Sequence, residues 1–273
     1  MKRQANTTAA GRCGGTAAAE SRQKPTSTGL RRRTATPEQS EILRWIGSLG
    51  AVSAEALAHH LGISLTSARA RLAVARRNGW IGRARPLAGR PALYTVTAAG
   101  LRVAAADGIE PGCVSAASAA HLLACAHVAA ALERCYPDHG IVGERELRQH
   151  EREHAHRCAR AELGLDARGE PQLHRCDLML WPNAHPAPQP VAVEVELTIK
   201  APARLTAICR AWARCREISG VLYLAPPSVA RALQRAVDRA QAQERIVIVG
   251  LETLPWPREL EDGLAESFVP SDL

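Results

Sequence analysis

Aromatic residues are scarce, with one Phe, three Tyr and five Trp in 273 residues, so any core this chain builds must be largely aliphatic. No run of about 18 apolar residues is present, and no membrane span is expected. The N-terminus lacks the apolar stretch of a secretory signal. Its basic, acid-poor composition would suit either an organelle transit peptide or a disordered tail. Cysteines 13, 113, 125, 135, 158, 176, 209 and 215 include no C-x-x-C pair, and several lie inside apolar patterns. They read as buried, reduced thiols of a cytoplasmic protein rather than a disulfide framework or a zinc site.

Charge is present in both signs but unevenly placed. Residues 1–34 carry a net +7, residues 35–106 a net +6 and the remainder a net −5, within an overall +8. A basic first third suggests nucleic acid contacted from the N-terminal side.

Residues 1–36 lack periodicity and read as a disordered basic tail. Order is expected from Thr36-Pro37, an N-cap followed by proline at the first helical position. Ile42, Leu43, Ile46 and Leu49 form a helical stripe. Ser53 caps a second helix ending at Gly62, and a third opens at Ser64 and buries Ala68, Leu72 and Ala75. Trp80-Ile81 starts a strand, Arg83 to Arg90 forms a basic loop, Leu93 to Val96 returns, and a helix starts near Thr97.

The segment SAEALAHHLGISLTSARARLAVARRNGWI followed by GRPALYTVTAAG resembles the winged helix-turn-helix family. The resemblance implies a DNA-binding domain over residues 37–106. Short polar side chains at Ser64, Thr66 and Ser67 suit entry into the major groove, with Arg69 and Arg77 off the buried stripe. Arg83, Arg85 and Arg90 would reach phosphate or the minor groove from the wing.

Residues 107–117 read as a linker, and an apolar helix is expected from Ser118 to about Tyr136. His121 and His127 lie six apart, a spacing that aligns ligands poorly on one helix face. A charged helix is expected from Glu144 to about Leu163. Within it, His150-Glu151-Arg152-Glu153-His154 matches H-E-x-x-H, but charged neighbours and Arg160 where a third His would stand favour a solvated helix over a zinc-protease site.

The most informative stretch is Val191–Lys200. Val191, Val193, Val195, Leu197 and Ile199 alternate with Ala192, Glu194, Glu196, Thr198 and Lys200, as on a strand with two dissimilar faces. Two carboxylates in one row raise one another's pKa and call for a cation or proton between them. A strand from Leu173 to Trp181 carrying Asp177 precedes it. A helix from Pro202, an apolar strand at Val221–Leu224, a helix capped by Ser228 and a strand at Ile246–Val249 follow. The pattern implies a mixed sheet flanked by helices.

This C-terminal order, over residues 118–255, resembles the PD-(D/E)XK, restriction endonuclease-like fold. The resemblance assigns Asp177, Glu194 and Glu196 to a Mg2+ site, with Lys200 contacting phosphate and Glu144 matching an acid some members supply. Glu196 stands where the family usually has lysine, and Lys200 would lie about 13 Å further along an extended strand. The remaining residues, 256–273, read as a tail.

A winged helix, HLLACAHVAAALER, ERELR, RCDLML and VEVELTIK, in that order, resemble the replication-relaxation family of plasmids and integrated mobile elements. That resemblance implies a protein that binds double-stranded DNA in replication or mobilisation. Either its C-terminal domain would nick DNA with metal, or the protein would be a non-enzymatic transcription regulator or accessory factor whose degenerate C-terminal domain dimerises or binds a relaxase or replication initiator.

Overall fold

The computed structural model describes residues 34–154, 160–184 and 189–255. Of the expected tails, 1–36 and 256–273, residues 1–33 and 256–273 lie outside the described residues. The described residues form one compact unit.

Local signals start the fold. Helix α1 (Pro37–Leu49) opens with a reciprocal capping box between Thr36 and Gln39 and has proline in its first turn. Helix α2 (Ala54–Leu61) is capped by Ser53 and ends at Gly62, whose φ of 63° is the left-handed conformation glycine adopts without strain. Helix α3 (Leu65–Arg77) is capped by Ser64 and buries Ala68, Leu72 and Ala75. An antiparallel ribbon follows, β1 (Ile81–Ala84) and β2 (Leu93–Val96). Val52 adds an isolated antiparallel bridge to Tyr94. Arg83 therefore belongs to a strand rather than to the loop, its position fixed opposite Tyr94. Thr97 caps the short α4 (Ala98–Val103).

Helix α5 (Ala116–Cys135) starts two residues earlier than its apolar run suggested, because Ser115 and Ser118 form a capping box. By length and composition it could cross a membrane, with mean hydropathy 1.3, but most of it is buried inside the fold. It is the central core helix. Ala124, Val128, Ala129 and Leu132 pack with Ile42, Ile46 and Leu57 on one side and with Leu178, Val193 and Val195 on another. The N-terminal helices and the C-terminal sheet thus share one core. Trp45 and His60 stack, and each also contacts a carboxylate oxygen of Glu133 on α5.

Residues 107–112 are packed rather than free. Asp107, Gly108 and Glu110 present carbonyls to Gln149, Arg152 and Arg145 of α6 (Glu144–His154). This helix is shorter than the charge pattern suggested. Its expected C-terminal part is instead strand β4 (Arg160–Leu165), paired with β5 (Pro171–Arg175) and contributing Ala161 and Leu163 to the core.

The main sheet has the order β3-β6-β7-β8-β9, formed by β3 (His139–Gly143), β6 (Leu178–Pro182), β7 (Val191–Val195), β8 (Gly220–Ala225) and β9 (Ile246–Gly250). The first two pairings are antiparallel and the last two parallel. Parallel neighbours need crossovers, which α7 (Pro202–Arg214) and α8 (Pro227–Ala240) supply. Pro226, not Ser228, sits at the N-cap of α8. Leu205, Ile208 and Trp212 of α7 cover the sheet face opposite α5.

Two sequence expectations about strands are corrected. The segment 173–181 is not one strand, since β5 and β6 belong to different sheets and Cys176-Asp177 forms the junction. The strand opening at Val191 runs five residues, not ten. Glu196 makes one further ladder bond, to the Leu224 carbonyl. The chain then leaves the sheet to enter α7 at Pro202, which no central strand could accommodate.

Candidate functional sites: an arginine groove and a buried acid cluster

The N-terminal site is a groove between α3 and the ribbon. It encloses about 770 Å3 and is lined by Arg69, Arg76, Arg83, Arg85 and Arg90, with Glu55 as the one acid among the described residues. Glu55 pairs with Arg69 at 3.3 Å. Arg83 lies over the Tyr94 ring, 6.0 Å from its centroid, which holds the side chain against the ribbon. The sequence reading selected Arg77. That residue is exposed but outside the groove, and Arg76, one position earlier, lines it. A helix turns 100° per residue, so the neighbour of a correctly placed residue faces elsewhere.

At the N-terminus of α3, Thr66 is exposed. Ser64 and Ser67 are exposed too, but their hydroxyls are engaged with each other at 2.9 Å, and Ser64 accepts the Ser67 amide. Those two serines therefore serve the cap first. Arg71, on the other side of α3, pairs with Glu38.

The second site lies where β6, β7 and α5 meet. Glu194 and Glu196 do share a face with Ala192, but that face is not wet. Alpha-helix α7 covers it, leaving Glu194 4% and Glu196 5% exposed. Trp212 Nε1 donates to Glu194 Oε1 at 2.9 Å, and His174 Nε2 lies 2.7 Å from the same oxygen. Glu196 is held by Lys200. The expected 13 Å gap between them closes because the strand ends at Val195 and the chain folds back. Burial raises the Glu196 pKa, against the opposing hydrogen bond and charge of Lys200.

Asp177 is fixed from every direction. Its amide donates to the Val193 carbonyl and its carbonyl accepts the Glu144 amide. Its Oδ2 accepts the Val195 amide at 2.8 Å, and its Oδ1 lies 3.0 Å from His121 Nε2. Burial, and then the charge of Glu194, push its pKa well above the ordinary carboxylate value, although the Val195 amide opposes the shift. Glu144 is committed to Arg148 and Arg175.

Asp177, Glu194 and Glu196 thus share one electrostatic neighbourhood without forming one ligand cage. Among the described residues, the His/Cys/Asp/Glu group whose ligand atoms all lie within 4.8 Å is His121, Cys125 and Asp177. Sequence reasoning weighed His121 only against His127, six residues on. The H-x-x-x-C spacing of His121 and Cys125, which places both on one helix face, was the available signal. His174, the partner of Glu194, carried none.

Among the described residues, the H-E-x-x-H segment contributes no ligand to the converging His/Cys/Asp/Glu group. His150 and His154 stack on each other, while Glu151 is buried between Arg160 and Arg175. The helix is therefore not solvated all round, as its charge suggested. Arg160 is what takes up the buried carboxylate. The described cysteines 113, 125, 135, 176, 209 and 215 are all free thiols. Burial holds the Cys209 thiol up at about 12 and Cys215 at about 11, so both are protonated at neutral pH.

No family model, curated protein or solved structure matches this chain.

Proposed function

We propose that this chain is a double-stranded DNA-binding protein of the winged helix-turn-helix kind, acting in replication or mobilisation of a plasmid or integrated mobile element. The observation that carries this reading is the groove whose walls bring five arginines from α3 and the ribbon against a single acid. Phosphate neutralisation by such a surface gives affinity, and an exposed helix end beside it gives access to base edges. The order of three helices and a ribbon, with Val52 bridging the ribbon's second strand, supports the same assignment.

The sheet order supports a PD-(D/E)XK-like arrangement for the C-terminal region, but the donors do not suit a hard Mg2+ site. Such an ion takes oxygen ligands and keeps several waters. Here Glu194 is tied to Trp212 and His174 and Glu196 to Lys200, and the group whose ligand atoms converge among the described residues adds an imidazole and a thiol to Asp177. The reading favoured for this region is therefore an accessory, non-enzymatic one. A second reading, metal-dependent nicking, draws on the mutual repulsion of the buried acids.

The binding test is fluorescence anisotropy with duplex DNA over a salt series. Arg83→Ala/Arg85→Ala is expected to weaken binding and to reduce the slope of log affinity against log salt by about two, near 0.9 per lost phosphate contact. Unchanged affinity and slope would refute the assignment. Incubation of supercoiled plasmid with Mg2+ or Mn2+ separates the two readings. Nicking abolished by both Asp177→Ala and Glu194→Ala would overturn the non-enzymatic one.

A further inference from the structure

We propose that His121, Cys125 and Asp177 bind a borderline transition-metal ion, Zn2+ above all, in a three-ligand site with a solvent-facing fourth position. This inference does not rest on DNA binding; the site shares Asp177 with the oxygen-ligand site implied by fold resemblance but uses neither Glu194 nor Glu196.

Distances support it first. Tetrahedral zinc with ordinary bond lengths puts its N and O ligands about 3.3 Å apart and its N and S ligands about 3.6 Å apart. The structure has His121 Nε2 3.0 Å from Asp177 Oδ1 and 3.6 Å from Cys125 Sγ. The sulfur-to-carboxylate edge also closes within 4.8 Å. An ion entering the triangle needs small rotations of side chains, not movement of the backbone.

Rigidity supports it next. His121 and Cys125 are one turn apart on α5, whose neighbouring Ala124, Ala126 and Val128 are fully buried and hold the helix in place. Asp177 comes from a different element, and its backbone and its second oxygen are both anchored. A hydrogen bond to the non-ligating oxygen is the kind of outer-shell support that orients metal carboxylates.

Donor chemistry selects the ion. Thiolate and imidazole together prefer Zn2+ and Co2+ over Mg2+ and Ca2+. On binding, Zn2+ takes up the Cys125 sulfur as thiolate and the thiol proton passes to solvent. The side chains of His121 and Asp177 are 38% and 22% exposed, which leaves a path for the ion and a corner for water or a ligand oxygen.

The full-length chain, stripped with chelator, would be titrated with Co2+ and then with Zn2+ or Mg2+. One equivalent of Co2+ should give a near-ultraviolet thiolate-to-metal band, displaced by Zn2+ but not by excess Mg2+. Cys125→Ser should abolish the band, and Cys209→Ser should leave it intact. Because Cys125 is buried, His121→Gln at the more exposed ligand provides a second variant. It should weaken binding at least tenfold and remove the Zn2+-induced rise in melting temperature while keeping the wild-type circular dichroism. Absence of the band, its survival in Cys125→Ser, or equal competition by Mg2+ would each overturn the proposal.

Discussion

Acidification from pH 7 to pH 5 should weaken the fold by about 2 kcal/mol through His127 alone. Its imidazole is buried between α2 and α5, with Nε2 3.2 Å from Ser53 Oγ. Burial, and then the charge of His59, hold its pKa down at about 3 against an ordinary 6.5. Below 6.5 the unfolded chain takes up a proton that the folded chain refuses, so stability is complete above that value and declines as the pH falls towards 3. At about 1.36 kcal/mol per pH unit, the drop from 6.5 to 5 costs about 2 kcal/mol, with a ceiling of about 5 near pH 3. Urea unfolding of wild type and His127→Leu at pH 7, 6 and 5 isolates the effect. Ser53 keeps its cap bond to the Ala56 amide in the variant. The buried acids around Asp177 titrate in both proteins and cancel in the difference. Wild type should lose about 2 kcal/mol more than the variant over this range. Parallel pH dependences would refute the assignment of a buried neutral imidazole.

Two further substitutions probe packing and charge. Glu151→Gln leaves Arg160 and Arg175 facing a neutral amide in a buried position, and should cost about 3–5 kcal/mol by urea unfolding; a loss below 1 kcal/mol would show the arginines to be solvated without it. Gly100→Ala would drive a Cβ into the Trp80 carbonyl oxygen and to within 2.7 Å of Val96 Cγ1. Since backbone cannot yield as a side-chain tip can, a loss of about 3 kcal/mol or more is expected, and a near-wild-type melting temperature would contradict the observed packing of α4 on the ribbon.

The parts of this structure legible in sequence are those determined locally. Thr36, Ser53, Ser64 and Thr97 each cap the helix expected of them, because a cap needs only the next three residues. Strand β3 escaped notice because HGIVG has two glycines and no alternation, its position being set by pairing with β6. The segment 160–165 looked helical by its charges but is recruited by β5. Asp177 stands out in the sequence as an acid ahead of the VEVELTIK strand, while its setting does not. The break after Arg175 depends on two sheets claiming the two halves of LHRCDLML, and nothing within those residues announces it. His121 and Cys125 carry a local signal in their spacing, but their third partner lies more than fifty positions away.

The core shared by α1, α2, α5 and β7 has a mechanical consequence. A reading head joined to its effector by a flexible tether can swing to sites of varied spacing along a duplex. Here α5 is both the floor beneath the N-terminal helices and the carrier of His121, so the arginine groove and the Asp177 corner keep a constant separation. The molecule would act as a gauge of set span. Whatever the second site engages must present itself at one distance and one rotation from whatever the groove holds.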